Sequence, residues 1–113
     1  MSIVNRSLVP VRGKQPYVDW INTYDPDGSG TTLSEMKEHP SVYLVEPTEA
    51  LDPERTILPA YQAALFEIEL ESWWEDRTAW PRYESPEVFH AWFDVEFVEV
   101  VIDLCGDPLG YEE

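Results

Sequence analysis

The run Val95-Glu96-Phe97-Val98-Glu99-Val100-Val101-Ile102 has two interpretations, and they lead to different classes of fold. Val and Ile dominate the run, which favours a β-strand because branched side chains pack well on a pleated sheet. An approximate helical stripe is also present, formed by the polar positions 87, 90, 94, 96, 99 and 103. We predict a strand over 94–103, since Gly106 and Pro108 provide an end for it.

Two further strands are predicted from β-branched segments nearer the start of the chain. Residues 3–11 form the first, and we place it at or near a sheet edge because Pro10 has no N–H to donate to a ladder. Residues 42–45 read Val-Tyr-Leu-Val, which is typical of a buried strand, and Pro47 closes it. Together with 94–103 these segments predict a small, mainly antiparallel sheet.

Two helices are marked by their opening residues. Pro16 suits the first turn of a helix, and apolar residues then recur at steps of three and four. This spacing is typical of a stripe that faces the core, and it comprises Tyr17, Trp20, Ile21 and Tyr24. Thr32 or Ser34 then caps a short helix that ends before His39-Pro40.

The strongest helical pattern lies in the segment 54–76, where Leu58, Tyr61, Leu65 and Ile68 recur at near-helical steps. We predict a helix over 57–74 that covers the sheet, and a later helix that opens at Ser85-Pro86. The chain therefore predicts a single α+β domain, residues 1–113, with its sheet packed against helices. Its predicted core includes Trp20, Leu65, Ile68, Phe89 and Phe93.

The composition is strongly acidic, with 23 Asp and Glu against 7 Lys and Arg and a formal net charge of −16 on 113 residues. Residues 56–113 hold fourteen of these acids against Arg77 and Arg82, so that this part alone carries −12. Such a surface repels polyanions, which argues against direct nucleic-acid binding and favours a basic protein partner. No window approaches the ~20 apolar residues of a membrane span, and we expect a cytoplasmic monomer or homodimer.

Motifs for catalysis or metal binding are weak. Residues 25–31 read Asp-Pro-Asp-Gly-Ser-Gly-Thr and match the first half of a calcium-binding EF-hand loop, but Met36 occupies the position of its bidentate Glu. His90 precedes Asp94 by four residues, a spacing that pairs them only if the helix persists. His39 is most simply a turn residue, and the single Cys105 excludes an internal disulfide. We expect no catalytic residue, metal or cofactor.

Three Trp fall within eight residues, 73–80, and they cannot all point in one direction. An exposed Trp rimmed by acids is a plausible anchor for a basic partner. The predicted contact surface, called here the predicted acidic surface, comprises Glu71, Trp74, Glu75, Asp76, Asp94 and Glu96. The sequence thus favours a non-enzymatic protein-interaction domain. A small hydrolase or metal-dependent enzyme built on clustered carboxylates, and a nucleic-acid mimic that blocks a DNA-binding protein, are the alternatives.

Several segments together resemble a family of small bacterial proteins to which no activity is assigned. They include residues 14–22, Lys-Gln-Pro-Tyr-Val-Asp-Trp-Ile-Asn, and residues 92–96, Trp-Phe-Asp-Val-Glu. The resemblance spans most of the chain. It implies a bacterial, cytoplasmic origin and an α+β domain, and it assigns no functional residue.

Overall fold

A computed structural model of the chain describes residues 2–25, 30–47, 52–83 and 85–112. The strands are β1 (Ser2–Ile3), β2 (Ser7–Gly13), β3 (Ser41–Val45), β4 (Phe93–Val95) and β5 (Ile102–Asp103). The helices are α1 (Gln15–Thr23), α2 (Leu33–Glu38), α3 (Pro53–Thr56), α4 (Gln62–Glu71) and α5 (Pro86–Trp92), with 3₁₀ turns at Leu58–Ala60 and Arg77–Ala79. No helix in the described ranges combines the length and the apolar character needed to cross a membrane.

The main sheet has three antiparallel strands in the order β3-β2-β4, and a separate two-stranded ribbon pairs β1 with β5. Val9 lies opposite Tyr43 in one ladder, and Val11 lies opposite Val95 in the other. Alternate residues of β2 are buried, as expected of a strand with one face on the core. Helices cover that face, so the chain has the predicted α+β fold with its sheet packed against helices.

Pro10 lies in the central strand of the main sheet, and the strand predicted over 3–11, at or near a sheet edge, is divided between β1 of the ribbon and β2. Leu8 exchanges two hydrogen bonds of 2.9 Å with Val98, and the Glu96 N–H donates to the Pro10 carbonyl at 3.1 Å. Backbone groups of alternate residues point to the same neighbouring strand. The nitrogen of Pro10 therefore faces Glu96, where it has no hydrogen to donate, and the ladder from β2 to β3 is unaffected.

The hydrogen bond that Pro10 cannot donate is missing next to the end of β4. The prediction of a continuous strand over 94–103 is wrong. β4 stops at Val95, a single bridge joins Val98 to Leu8, and regular pairing resumes only where β5 meets β1. The helical alternative is also wrong, because α5 ends at Trp92. The β-branched run is thus divided between the main sheet and the ribbon.

β3 forms one edge of the main sheet and is half buried, which corrects the prediction of a buried strand over 42–45. Tyr43 and Val45 pack on the core, whereas Val42 and Leu44 are exposed. The two pairs point to opposite faces because successive side chains of a strand alternate.

The predicted helix over 57–74 is divided into a 3₁₀ turn, Leu58–Ala60, and α4. The buried face of α4 is centred on Phe66 and Glu69, and Ile68 lies off that face. Ile68 is 52% exposed, and its place in the predicted core is wrong. The buried stripe of α4 comprises Gln62, Leu65, Phe66, Glu69 and Leu70.

The core is largely aromatic and joins the sheet to α1, α4 and α5. Phe93 lies at its centre, with ring centroids 4.6 Å from Tyr17, 5.5 Å from Phe89 and 5.9 Å from Phe66. The predicted core residues Trp20, Leu65, Phe89 and Phe93 are buried, as is most of the predicted stripe of α1. Tyr24, the last member of that stripe, is exposed because α1 ends at Thr23.

Candidate functional site

The structure divides the predicted acidic surface between two places. Glu71 ends α4, and Glu75 and Asp76 follow in the connection to the next 3₁₀ turn. Trp74 is half-buried, and its indole N–H donates to the Ile21 carbonyl at 3.3 Å. Thr78 donates to Asp76 from its backbone N–H and its hydroxyl, and the hydroxyl bond and then the backbone bond lower the pKa of Asp76. Glu71 and Glu75 are exposed to solvent.

Asp94 and Glu96 lie apart from those residues, in β4 and directly after it. Arg12 of β2 is the cross-strand partner of Asp94, and its guanidinium lies 2.7 Å from a carboxylate oxygen of Glu96. Arg12 therefore neutralises part of this half of the predicted acidic surface.

The candidate catalytic groups do not form a site together. His90 lies 3.0 Å from the side-chain amide of Gln62, and α5 ends before a helical pairing with Asp94 is possible. Cys105 is an exposed thiol. Among the residues that the structure describes, no three His, Cys, Asp or Glu are grouped as a metal site requires. Most of the predicted EF-hand-like stretch, residues 26–29, lies outside the described residues.

A different group of side chains surrounds a cavity of about 210 Å³ between β2, α1, α2 and the end of α4. Its lining residues include Glu35, Glu69 and His39, which are not close enough together to form a metal site. We call this cavity the carboxylate pocket. Its other lining residues are Val11, Gly13, Tyr17, Thr31, Met36, Ser41, Ser72 and Trp73.

Short-range hydrogen bonds hold the α2 side of the carboxylate pocket. Asn22 in α1 accepts from the Thr31 N–H through its side-chain oxygen and donates to the Thr31 carbonyl, both at 2.9 Å. Thr32 caps α2 by accepting from the Glu35 N–H at 3.2 Å, as the sequence predicted. The Thr31 hydroxyl donates to the Glu35 carboxylate at 2.9 Å. The two hydrogen bonds between the Asn22 side chain and the Thr31 backbone are called here the clamp. The clamp fixes Thr31, and Thr31 and the Thr32 cap together orient Glu35.

Glu69 is the buried carboxylate of the pocket, with only 8% of its surface exposed. The Tyr43 hydroxyl donates to its carboxylate at 2.9 Å, and the Tyr17 and Ser72 hydroxyls donate to its backbone carbonyl at 2.5 and 2.6 Å. Burial raises the pKa of Glu69, while hydrogen bonds from Tyr43 and Ser41 lower it by less. Burial and then the charge of Glu69 raise the pKa of both tyrosines, which therefore stay protonated donors.

Glu69 forms no salt bridge with any described residue; the ion pairs in those ranges involve Arg12, Arg55 and Arg77. A buried carboxylate without a positive partner is unfavourable in its ionised form. It can take up a proton, or it can bind a cation that enters the cavity. Trp73 lines the cavity with part of its ring exposed, and an indole face attracts ammonium and guanidinium groups. The pocket can therefore act as a receptor for a cationic group.

The sequence contains one signal for Glu69 that the near-helical steps counted from Leu58 do not include. Glu69 lies seven residues after Gln62 and four after Leu65, on the same face of α4 as Phe66. An acid on the apolar stripe of a helix indicates a buried carboxylate.

No protein-family model, curated protein or solved structure matches the chain. The resemblance to a family of small bacterial proteins therefore stays a prediction, and the functional argument depends on the carboxylate pocket itself.

Replacement of Glu69 by Gln should alter how the free energy of unfolding depends on pH. The folded state binds the Glu69 proton more tightly than the unfolded state does, because the pKa is raised on folding. The contribution of Glu69 to stability is therefore present below roughly 4.3, the unfolded pKa of Glu, and is lost as pH rises through the folded pKa. Gln stays neutral and still accepts from Tyr43. Urea unfolding at several pH values should show Glu69→Gln gaining stability relative to the parent as pH rises.

The matched control is Glu71→Gln, which removes the same charge from an exposed position on the same helix. It isolates the effect of a lower net charge. If Glu69→Gln and the parent show parallel pH profiles, the carboxylate is not buried as described.

Proposed function

We propose that the chain is a cytoplasmic protein-interaction domain that receives a Lys or Arg side chain of a partner protein in the carboxylate pocket. The observation that supports this most directly is Glu69, a buried carboxylate that lines a cavity and has no ion-pair partner among the described residues. A cation in the cavity restores the ionised form of Glu69 and compensates its burial. Glu35 lines the same cavity and adds a second negative charge to it.

The size of the cavity supports a side chain over a free metabolite. Its volume of about 210 Å³ is below the roughly 300–1,000 Å³ of typical small-molecule sites. It has room for several water molecules, each of about 30 Å³ in the liquid, and hence for the end of a long side chain. Trp73 at the cavity can stack on an ammonium or guanidinium group.

The charge of the whole chain supports a basic partner. A net charge of −16 raises the local concentration of cations and accelerates encounter with a basic protein. Glu71 and Glu75 are exposed on the segment that also carries Ser72 and Trp73, so they add attraction beside the pocket. Glu71 and Glu75 attract the basic partner as it approaches, whereas Glu69 and Glu35 contact its cationic group in the pocket. Since exposed charges are screened by salt, association should slow as the salt concentration rises.

The probe for this proposal is N-acetyl-lysine methylamide, which carries one ammonium group and no other charge. Titration followed by amide NMR should give saturable shift changes at Glu35, Glu69 and Ser72. We expect these changes to disappear in Glu69→Gln, because the neutral amide cannot form an ion pair with the ammonium group. The norleucine analogue, which has a similar alkyl chain and no ammonium, should give none.

Glu71→Gln is again the matched control, and it should retain saturable binding of the lysine probe. Binding that survives Glu69→Gln, or that Glu71→Gln abolishes, would contradict the proposal, because the lysine would then bind outside the carboxylate pocket.

A second candidate function is acid–base catalysis by a small hydrolase. The raised pKa of Glu69 and the presence of His39 in the same cavity favour it, since a carboxyl with a raised pKa suits a general acid. Turnover of p-nitrophenyl acetate or p-nitrophenyl phosphate that Glu69→Gln abolishes would support the enzyme. Saturable lysine binding without turnover supports the interaction domain.

A further inference from the structure

A second cavity lies against one face of the ribbon that β1 and β5 form. Its volume is about 420 Å³, and the ribbon contributes Val4, Val101 and Asp103 to its wall. The Val4 N–H donates to the Val101 carbonyl at 2.7 Å, which extends the pairing beyond β1 and holds this part of the wall. Cys105 and the segment 107–110, which follow β5 in the chain, also line the cavity. We call this space the ribbon cavity.

Apolar side chains form a large part of the wall of the ribbon cavity. Val4 and Val101 are partly buried, Pro108 is exposed, and Leu109 is 60% exposed. Covering such carbon surface with an apolar ligand removes it from water, which is favourable. The volume also falls within the roughly 300–1,000 Å³ of typical small-molecule sites, whereas the carboxylate pocket is smaller than that range. These features favour a free molecule with an apolar body.

The charged groups that line the ribbon cavity are carboxylates. Asp103 and Asp107 both belong to its wall, and no Lys, Arg or His is among the lining residues that the structure describes. The Cys105 N–H donates to the Asp103 carboxylate at 2.8 Å, so this carboxylate is held in place at the ribbon. Two negative charges attract a cationic group and repel an anionic one. The polar end of the ligand is therefore expected to carry a positive charge.

We propose that the ribbon cavity binds a small primary amine with an alkyl or arylalkyl body. The body contacts Val101 and Leu109, and the ammonium group pairs with a carboxylate of the wall. A metal ion fits less well, because the acids and the thiol described at this cavity are not grouped as a metal site requires. A fatty acid fits less well because its own carboxylate would lie beside Asp103 and Asp107.

This site does not depend on the function proposed for the carboxylate pocket, because no described residue lines both cavities. The probe is phenylbutylamine, and amide NMR should show saturable shift changes at Val101, Cys105 and Leu109. Phenylbutanol has the same body without the charge and should bind about fivefold more weakly, the loss expected for a partly exposed ion pair. Phenylbutanoate should bind more weakly still, because its carboxylate is repelled.

Cys105 provides a second measurement, because it is the only cysteine of the chain and its thiol is exposed. Its alkylation by iodoacetamide is followed by mass spectrometry of the peptide that contains it. Phenylbutylamine should slow this reaction in proportion to the fraction of protein bound, because Cys105 lines the cavity that the amine fills. The dissociation constants from alkylation and from NMR should agree.

The protein variants are matched by residue type within one segment. Asp107→Asn should weaken binding of phenylbutylamine about fivefold. Glu112→Gln removes an exposed acid of the same segment that is not among the lining residues, and it should leave binding unchanged. Leu109→Ser should weaken binding about tenfold through lost apolar contact. Tyr111→Ser, at a position 82% exposed, should have no effect.

Equal binding of phenylbutylamine by the parent, Asp107→Asn and Leu109→Ser would overturn the proposal, and so would phenylbutanol binding as tightly as the amine. Shift changes confined to the carboxylate pocket would also overturn it. Shift changes at the ribbon cavity with the lysine probe alone would identify a protein side chain as the occupant, against the free amine proposed here. In Glu69→Gln the changes at the ribbon cavity should persist, which separates this site from the carboxylate pocket.

Discussion

Phe93→Ala is expected to lower the free energy of unfolding by about 3–5 kcal/mol, the usual loss for a buried Phe. Phe93 is fully buried, and its ring contacts Tyr17, Phe66 and Phe89 from three different helices. Truncation therefore leaves a cavity that no single neighbour can fill. For a domain of this size, such a loss is a large part of the 5–15 kcal/mol typical of total stability. Urea unfolding measures the difference.

Ile68→Ala is the control, because Ile68 is also apolar and also on a predicted core position, yet it is exposed. Substitutions at such surface positions usually change stability by no more than about 0.5 kcal/mol. A comparable loss in both variants would mean that the described phase of α4 is incorrect.

Gly13→Ala is expected to cost about 1–3 kcal/mol or more, the range for an added methyl group in a packed core. A Cβ at Gly13 would lie 2.5 Å from Cδ2 of Tyr17 and 3.0 Å from the sulfur of Met36. Tyr17 cannot easily move, because its ring is buried and its hydroxyl is bonded to the Glu69 carbonyl. All four residues line the carboxylate pocket, so the variant should also bind the lysine probe more weakly.

Gly106→Ala provides the matched control, since nothing lies within 4 Å of a Cβ at that position. Thermal unfolding should show a lower midpoint for Gly13→Ala and a nearly unchanged one for Gly106→Ala. If both variants unfold with the parent, the close approach at Gly13 is not present in solution.

The fold class was predictable because local patterns and composition agree on it. Proline in the first turn marks α1 and α5, the Thr32 cap marks α2, and the structure has all three helices. The break after Val95 was not predictable from the run itself, in which five of eight residues are β-branched and no turn residue occurs. It coincides with Pro10, eighty-five residues earlier, and such a partner is known only once the strand register is known.

The candidate site was less accessible to sequence analysis. The acid excess indicates a basic partner. With 23 acidic residues, however, the sequence does not identify which of them contacts that partner. Burial distinguishes Glu69 from Glu67 and Glu71, and burial depends on which face of α4 packs on the core. Trp73 and Trp74 are likewise adjacent in sequence, and only packing decides that Trp74 reaches Ile21 while Trp73 lines the pocket.

The clamp between Asn22 and Thr31 has a consequence for the evolution of the chain. The clamp consists of hydrogen bonds between the Asn22 side chain and the backbone of Thr31. A Cβ at Gly30 would overlap the Asn22 side-chain oxygen. Asn22 and Gly30 are therefore constrained to persist together in descendants of this sequence. Insertions or deletions between them are tolerable, since loop length adds little to the entropy of closing a loop. Changes in the length of this connection should therefore leave the orientation of Glu35 unchanged.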